Sequence, residues 1–146
     1  MAGRGAATGY GALKWFRRTV MLGIVLNAAF FLPGLFAPRL LESWFDFGVT
    51  NTLHWLQNVS YLLILITAAY IPVIRDAFRY MFITVLIVAG RFGAGTLFLL
   101  GVLFMNYPRG MLTLALGDLI LSTIQTFLLI RLLRDGDPKS GWPLGV

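Results

Sequence analysis

The sequence predicts an all-α integral membrane protein: a four-helix bundle with a short interfacial helix between the first and second spans. Of the 146 residues, 58% are hydrophobic and only 12% are charged, whereas a soluble domain has about 25% charged residues. A spanning helix needs about 20 apolar residues, and the chain contains four such runs. The bundle therefore accounts for nearly the whole chain, and no separate soluble domain is expected.

The boundaries follow from the apolar runs and from the turn residues between them. We predict a flexible cytoplasmic tail at residues 1–12, spans at about 15–34, 52–72, 80–104 and 111–133, an interfacial helix at 38–47 and a cytoplasmic tail at 135–146. Basic residues before the first apolar run are also typical of a signal peptide. However, the small residue nearest a cleavage position, Ala37, is followed directly by Pro38, so we expect the run to be retained as a span.

The predicted interfacial helix begins at a proline, which suits the first turn of a helix. Its apolar face consists of Leu40, Leu41, Trp44 and Phe45. This pattern is typical of a helix lying at the membrane surface. It is either a connector anchored by tryptophan or a docking surface for a partner.

The second span can be capped by Thr50 or Asn51 and is expected to stop near Pro72. The third and fourth spans are joined by the turn sequence NYPRG at 106–110. Close approach of these two helices is expected at the small residues Ala89, Gly90, Gly93 and Ala94.

The distribution of basic residues predicts the orientation. Of the 12 Lys and Arg residues, nine fall on the side of the two termini, two (Arg39 and Arg109) fall on the other side, and the twelfth is Arg91. By the positive-inside rule, both termini are expected in the cytoplasm of a multi-pass protein of the bacterial inner membrane. The net charge of +6 is thus a topology signal, and no nucleic-acid partner is expected.

Arg91 is the anomaly of the third span, since it lies near the middle of an apolar run. A guanidinium at mid-membrane costs roughly 2.5–3.5 kcal/mol on insertion scales, and Asp118 is the only acidic residue within the apolar runs. We therefore expect these two residues to pair. Since lipid cannot satisfy polar groups, the polar stripes of all four spans should turn inward, including the stripe Asn51, His54, Asn58 and Tyr61 of the second span. The predicted intramembrane polar cluster consists of Arg91, Asp118, Gln125, Asn27, Asn58 and Ser122.

Helix depth places this cluster towards the exterior, with an apolar cytoplasmic half. Two interpretations remain open. Arg91 and Asp118 are either a dry ionic clasp that fixes the pairing of the third and fourth helices, or part of an outward-facing pocket for the polar head of a quinone, lipid or other lipophilic ligand.

Redox and metal chemistry are restricted by composition. The chain has no cysteine and one histidine, His54, so thiol chemistry is excluded and no metal site or catalytic residue is predicted. His54 is either an interface histidine or a ligand at the outer face. No cofactor is expected in the chain itself, apart from a bound lipid or quinone.

With four spans, cytoplasmic termini and a small-residue-rich third helix of the form GRFGAGTLFLLG, the chain resembles the small bacterial four-helix membrane proteins of the DoxX-like kind. The resemblance is one of architecture and transfers no functional residues. It implies a subunit or accessory protein of a membrane oxidoreductase, near a quinone pool.

Three functions are compatible with these features. The first is a non-catalytic subunit that anchors or stabilises a larger membrane complex, such as a respiratory or electron-transfer complex, with membrane lipids and other membrane subunits as partners. The second is a protein whose pocket binds a quinone or lipid. The third is a small oligomeric transporter.

Overall fold

A computed structural model describes residues 3–47 and 54–135, with side chains for 11–47 and 54–134. The described residues form six helices and no strand: α1 (Gly3–Phe36), α2 (Pro38–Phe45), α3 (His54–Ala68), α4 (Tyr70–Arg75), α5 (Met81–Phe104) and α6 (Met111–Asp135). Four segments are long and apolar enough to cross a membrane, namely Gly11–Phe36, His54–Arg75, Met81–Phe104 and Met111–Arg134. The all-α fold class is confirmed, and the chain is a multi-pass membrane protein.

The first span is longer at both ends than the sequence predicts. Helix α1 begins at Gly3, within the 1–12 segment for which a flexible tail was expected. Leu13 and Phe16 are buried in a core cluster with Tyr70 of α4. Once such packing has fixed a helix, adding residues to its end has a small free-energy cost, because each added residue gains one hydrogen bond. At its other end α1 passes through Pro33, whose carbonyl accepts a hydrogen bond from Ala37 N–H at 2.7 Å.

The second span is broken into α3 and α4 at Ala69. Pro72 has no N–H to donate to the carbonyl four residues earlier, so the regular hydrogen-bond pattern cannot pass through this point. Ala69 N–H accordingly lies within reach of two carbonyls, those of Leu65 at 3.3 Å and Ile66 at 3.1 Å. The span continues beyond Pro72 to Arg75. The predicted caps, Thr50 and Asn51, lie outside the described residues.

The helices alternate in direction. Arg17 near the start of α1 donates a hydrogen bond to the carbonyl of Arg75 at the end of α4 (2.8 Å), so these ends lie on one side of the bundle. We call the side where α1 begins and α6 ends the terminal side, and the opposite side the α2 side. Helix α1 packs between α3 and α6, and α6 packs against α5. Helix α5 also contacts α4 but makes little contact with α3, which leaves an opening between α3 and α5.

The predicted docking face of α2 is only partly available. Leu41 is fully buried with Leu56 and Phe47, and Phe45 packs against the same cluster. These side chains cover the α2 side of the bundle. Leu40 and Trp44 are exposed, with Trp44 63% exposed, and Phe45 is half-buried, so the prediction of a four-residue docking surface is wrong for Leu41.

Candidate functional site

The ion pair expected from the sequence is present at the centre of the bundle. Arg91 Nη1 on α5 lies 2.8 Å from Asp118 Oδ1 on α6, and the side chains are 4% and 25% exposed. Arg91 shares the buried face of α5 with Ile87, Val88 and Gly95. The guanidinium therefore points into the bundle because of the helical period of its own span.

The other spans complete the surroundings of the guanidinium. Arg91 Nη2 donates to Asn27 Oδ1 on α1 (3.2 Å) and to the Tyr70 hydroxyl on α4 (3.1 Å). The guanidinium carbon also lies 5.7 Å from the centroid of the Tyr70 ring, within the range of a cation–π contact. Each of the other three candidate spans thus contributes one polar side chain that contacts the guanidinium.

Asn27 is oriented by a second hydrogen bond. Thr67 Oγ1 donates to the carbonyl of Leu63 (2.6 Å), so its oxygen can only accept from Asn27, whose Nδ2 lies 2.9 Å away. The amide oxygen of Asn27 is then left facing Arg91. The network runs from the carbonyl of Leu63 through Thr67, Asn27 and Arg91 to Asp118.

The guanidinium also depends on a small residue in α1. A Cβ atom added to Gly23 would lie 3.0 Å from Arg91 Nη2, closer than ordinary van der Waals contact. Gly23 therefore leaves the room that the guanidinium occupies.

Two members of the predicted cluster turn inward without joining the network. Ser122 is fully buried but donates to the carbonyl of Leu119 in its own helix (3.2 Å). Gln125 is fully buried, and neither atom of its amide has a hydrogen-bond partner among the described residues.

The predicted polar stripe of the second span faces the wrong way. Asn58 and His54 are exposed, and Tyr61 is 60% exposed. The inward face of this span consists instead of Leu56, Ser60, Thr67 and Tyr70. Ser60 is turned inward by close packing, since a Cβ added to Gly34 of α1 would overlap its hydroxyl.

Tyr70 and Thr67 are the two side chains of this network that were not predicted from the sequence. The sequence does contain a pattern that indicates this face. Ser60, Thr67 and Tyr70 follow one another at spacings of seven and three, which place them on one helical face. The predicted stripe, which contains His54, Asn58 and Tyr61, lies about half a helical turn away from this face.

A cavity of about 320 Å³ lies beside the network, in the opening between the second span and α5. Most of its wall is aliphatic, while Asn27, Tyr70, Arg91 and Asp118 form a polar floor. Its walls are formed by Leu63, Ile66, Ala69, Ile83, Leu86, Ile87, Gly90 and Ala94. Ile66 on α3 and Leu86 on α5 are also exposed at the bundle surface, so the cavity is open laterally.

The small residues of α5 have two separate roles. A Cβ added to Gly95 would lie 3.1 Å from the carbonyl oxygen of Ala115 on α6, whereas one added to Gly90 or Gly93 would meet nothing within 4 Å. The close approach of the third and fourth spans therefore occurs at Gly95, and its predicted placement at Gly90 and Gly93 is wrong. Gly90 instead widens the cavity.

The position of the cavity also differs from the sequence prediction. Its α5 wall extends from Ala94 to Ile83, which is near the start of that helix. Together with Tyr70 this places it at mid-membrane and in the half nearer the terminal side, rather than facing the α2 side. The cavity lies nearer the terminal side than predicted because Thr67 and Tyr70, and not Asn58, are the inward polar residues of the second span.

The side chains around the cavity provide hydrogen-bonding groups and apolar surface. Among the described residues no group of three or more His, Asp or Glu side chains is placed to hold a metal ion. The polar floor offers hydrogen-bond donors and acceptors next to an apolar wall, which suits a molecule with a polar head and an apolar tail.

No family model matches the chain, and no curated protein or solved structure matches it. The DoxX-like resemblance stays a prediction.

Proposed function

We propose that this protein binds a lipophilic ligand with a polar head, of the quinone or lipid class, in the cavity between the second span and α5. The observation that supports this proposal is that an apolar, laterally open cavity ends on the network of Arg91 and Asp118. A clasp that only joined α5 to α6 would need the ion pair alone. It would not need a recess in front of it.

The dimensions suit a head group better than a whole lipid. Ligand pockets have volumes of roughly 300–1,000 Å³, and this cavity of about 320 Å³ lies at the lower end. The head group would lie on the polar floor, and the tail would leave between Ile66 and Leu86 into the bilayer. With the orientation indicated by the basic residues, the site lies in the cytoplasmic half of a bacterial inner membrane, with both termini in the cytoplasm.

A pair of glycine substitutions tests the proposal. Gly90 lines the cavity and Gly93 does not, yet a Cβ at either position would meet no neighbour within 4 Å. Gly90→Leu should fill the cavity, while Gly93→Leu makes the same chemical change outside it.

The measurement is mass spectrometry of the small molecules that stay bound to the protein purified in a mild detergent. We expect a ligand to be retained by the wild type and by Gly93→Leu and to be lost from Gly90→Leu. Equal retention in all three proteins, or in none, would contradict the proposed function.

The exposed stripe on α3 favours a second candidate function, that of a non-catalytic subunit of a larger membrane complex. Asn58 is exposed on a spanning helix, and an unsatisfied polar group in hydrocarbon costs several kcal/mol. A polar side chain of another subunit would remove this cost, and a respiratory or electron-transfer complex is the kind of assembly that we propose.

Gentle extraction followed by mass spectrometry of co-migrating chains tests this second role. We expect a stoichiometric partner that Asn58→Leu releases and that Leu97→Ala, a change at an exposed position of α5, leaves bound. A protein that runs alone would contradict the subunit role, and a partner that is retained by Asn58→Leu would contradict the proposed contact through Asn58.

A further inference from the structure

We infer that the head group bound in this cavity is uncharged and carries a hydroxyl, so that one atom of the ligand both donates and accepts hydrogen bonds. This inference rests on the proposed function and specifies the class of ligand. It follows from the charge balance of the polar floor and from the hydrogen-bonding capacity that the protein leaves unused there.

The floor of the cavity has no net charge. Arg91 and Asp118 are its two charged residues, and they neutralise each other across 2.8 Å. An anionic head would lie beside the Asp118 carboxylate, and a cationic head would lie beside the guanidinium. Because charges interact strongly where water is excluded, either kind of head would meet repulsion as well as attraction.

Both terminal nitrogens of the guanidinium already donate to protein acceptors. Nη1 donates to Asp118, and Nη2 donates to both Asn27 and Tyr70. Arg91 Nε has no hydrogen-bond partner among the described residues, but it is buried and not exposed at the cavity surface. A phosphate or carboxylate head would therefore have to displace protein groups in order to bind Arg91 in the usual bidentate way.

The polar groups at the cavity floor can still make hydrogen bonds with a ligand, both as donors and as acceptors. Asp118 accepts from Arg91 through Oδ1 and its side chain is 25% exposed, so the carboxylate can accept a further hydrogen bond from a ligand. The Tyr70 oxygen accepts from Arg91, which leaves its hydroxyl hydrogen to be donated. Asn27 Nδ2 has a second hydrogen besides the one given to Thr67.

A hydroxyl matches this combination with a single oxygen. It can donate to Asp118 and accept from Tyr70 or Asn27. A carboxylate, a phosphate diester or a quinone carbonyl can only accept, and an ammonium group can only donate. The matching ligands are the reduced hydroquinone form of a quinone and a neutral lipid with a free hydroxyl.

Three probes with the same chain and different heads test the inference. Oleyl alcohol, oleic acid and oleylamine are added at equal concentrations to the full-length protein in a mild detergent, at a mildly alkaline pH that ionises the acid. Occupancy is measured by native mass spectrometry. We expect the alcohol to bind at least about tenfold more tightly than the acid or the amine, a difference of about 1.4 kcal/mol.

Asp118→Asn should reverse this preference. The change removes the negative charge and leaves the Arg91 cation, so a carboxylate can take the place of the missing one. Oleic acid should then bind more tightly than oleyl alcohol, while Gly90→Leu should bind neither. A wild-type protein that prefers the acid or the amine, or an Asp118→Asn protein that still rejects the acid, would overturn the inference. If Asp118→Asn does not fold, the wild-type ranking decides alone.

Three further probes identify the source of the hydroxyl. Decylhydroquinone is compared with decylquinone, its oxidised form, and with 1-monooleoylglycerol. Tightest binding of the hydroquinone supports the inference and indicates a quinol, and tightest binding of the glycerol ester supports it and indicates a neutral lipid. Tighter binding of the quinone than of the hydroquinone would overturn it. Absence of every probe from the wild type would instead contradict the proposed function itself.

Discussion

Asp118 is the one acidic partner that the described residues offer to the buried guanidinium of Arg91. Asp118→Leu should therefore be severely destabilising, because Arg91 is 4% exposed and would keep its charge without compensation. Removing one member of a buried ion pair costs about 3–5 kcal/mol, and we expect a loss of this size in the free energy of unfolding. Arg91→Leu should cost less, since Asp118 is 25% exposed and can be hydrated through the cavity.

The double variant Arg91→Leu/Asp118→Leu distinguishes pairing from simple loss of contacts. Replacing both members of a buried pair by apolar residues is often close to neutral. The remaining cost should come from the broken hydrogen bonds to Asn27 and Tyr70, at about 1 kcal/mol for each group left unsatisfied. The double variant should therefore be about as stable as Arg91→Leu, and at least about 2 kcal/mol more stable than the sum of the two single changes predicts.

The assay is reversible unfolding in mixed micelles, followed by circular dichroism, for the four proteins of this cycle. Asp118→Asn provides a further control, because it keeps an acceptor for Nη1 but removes the charge, and it should lie between the wild type and Asp118→Leu. Strict additivity of the two single changes would refute the claim that the two side chains stabilise each other.

Two further substitutions test other parts of the structure. Gly95→Ala should destabilise the pairing of α5 and α6 by about 1–3 kcal/mol, because its Cβ would lie 3.1 Å from the Ala115 carbonyl oxygen. Gly93→Ala should stabilise α5 by up to about 1 kcal/mol through helix propensity alone, so similar unfolding midpoints for the two variants would contradict the proposed contact. Tyr70→Phe removes one acceptor from Arg91 Nη2 and should cost about 1.5–3 kcal/mol in the same unfolding assay. An unchanged midpoint would show that this hydrogen bond contributes nothing.

The spans and the central ion pair could be predicted from sequence because each follows from a local cost. A run of about 20 apolar residues is stable in a bilayer only as a helix. A charge within such a run needs a partner of opposite sign, and Arg91 had only Asp118 available. No knowledge of the neighbouring helices is needed for either step.

The wrong predictions within the site concern the rotation of a helix about its axis. In the second span, the stripe containing Asn58 and the stripe containing Thr67 have the same period, so periodicity cannot tell which one faces the bundle. The packing of Ser60 against Gly34 selects the second stripe and brings Tyr70 to the guanidinium. In α5, Gly90, Gly93 and Gly95 are equally small, and only the position of α6 shows which of them forms the close contact.

By itself, then, the sequence determined the membrane class, the number of spans and the one charged pair, because these depend on the cost of placing single groups in hydrocarbon. The tertiary structure alone decided which uncharged polar residues join that pair, and it created the cavity. That cavity exists because α5 packs against α4 and α6 while making little contact with α3. Such a gap depends on which of the four helices pack against one another, and it cannot be deduced from the sequence of any single helix.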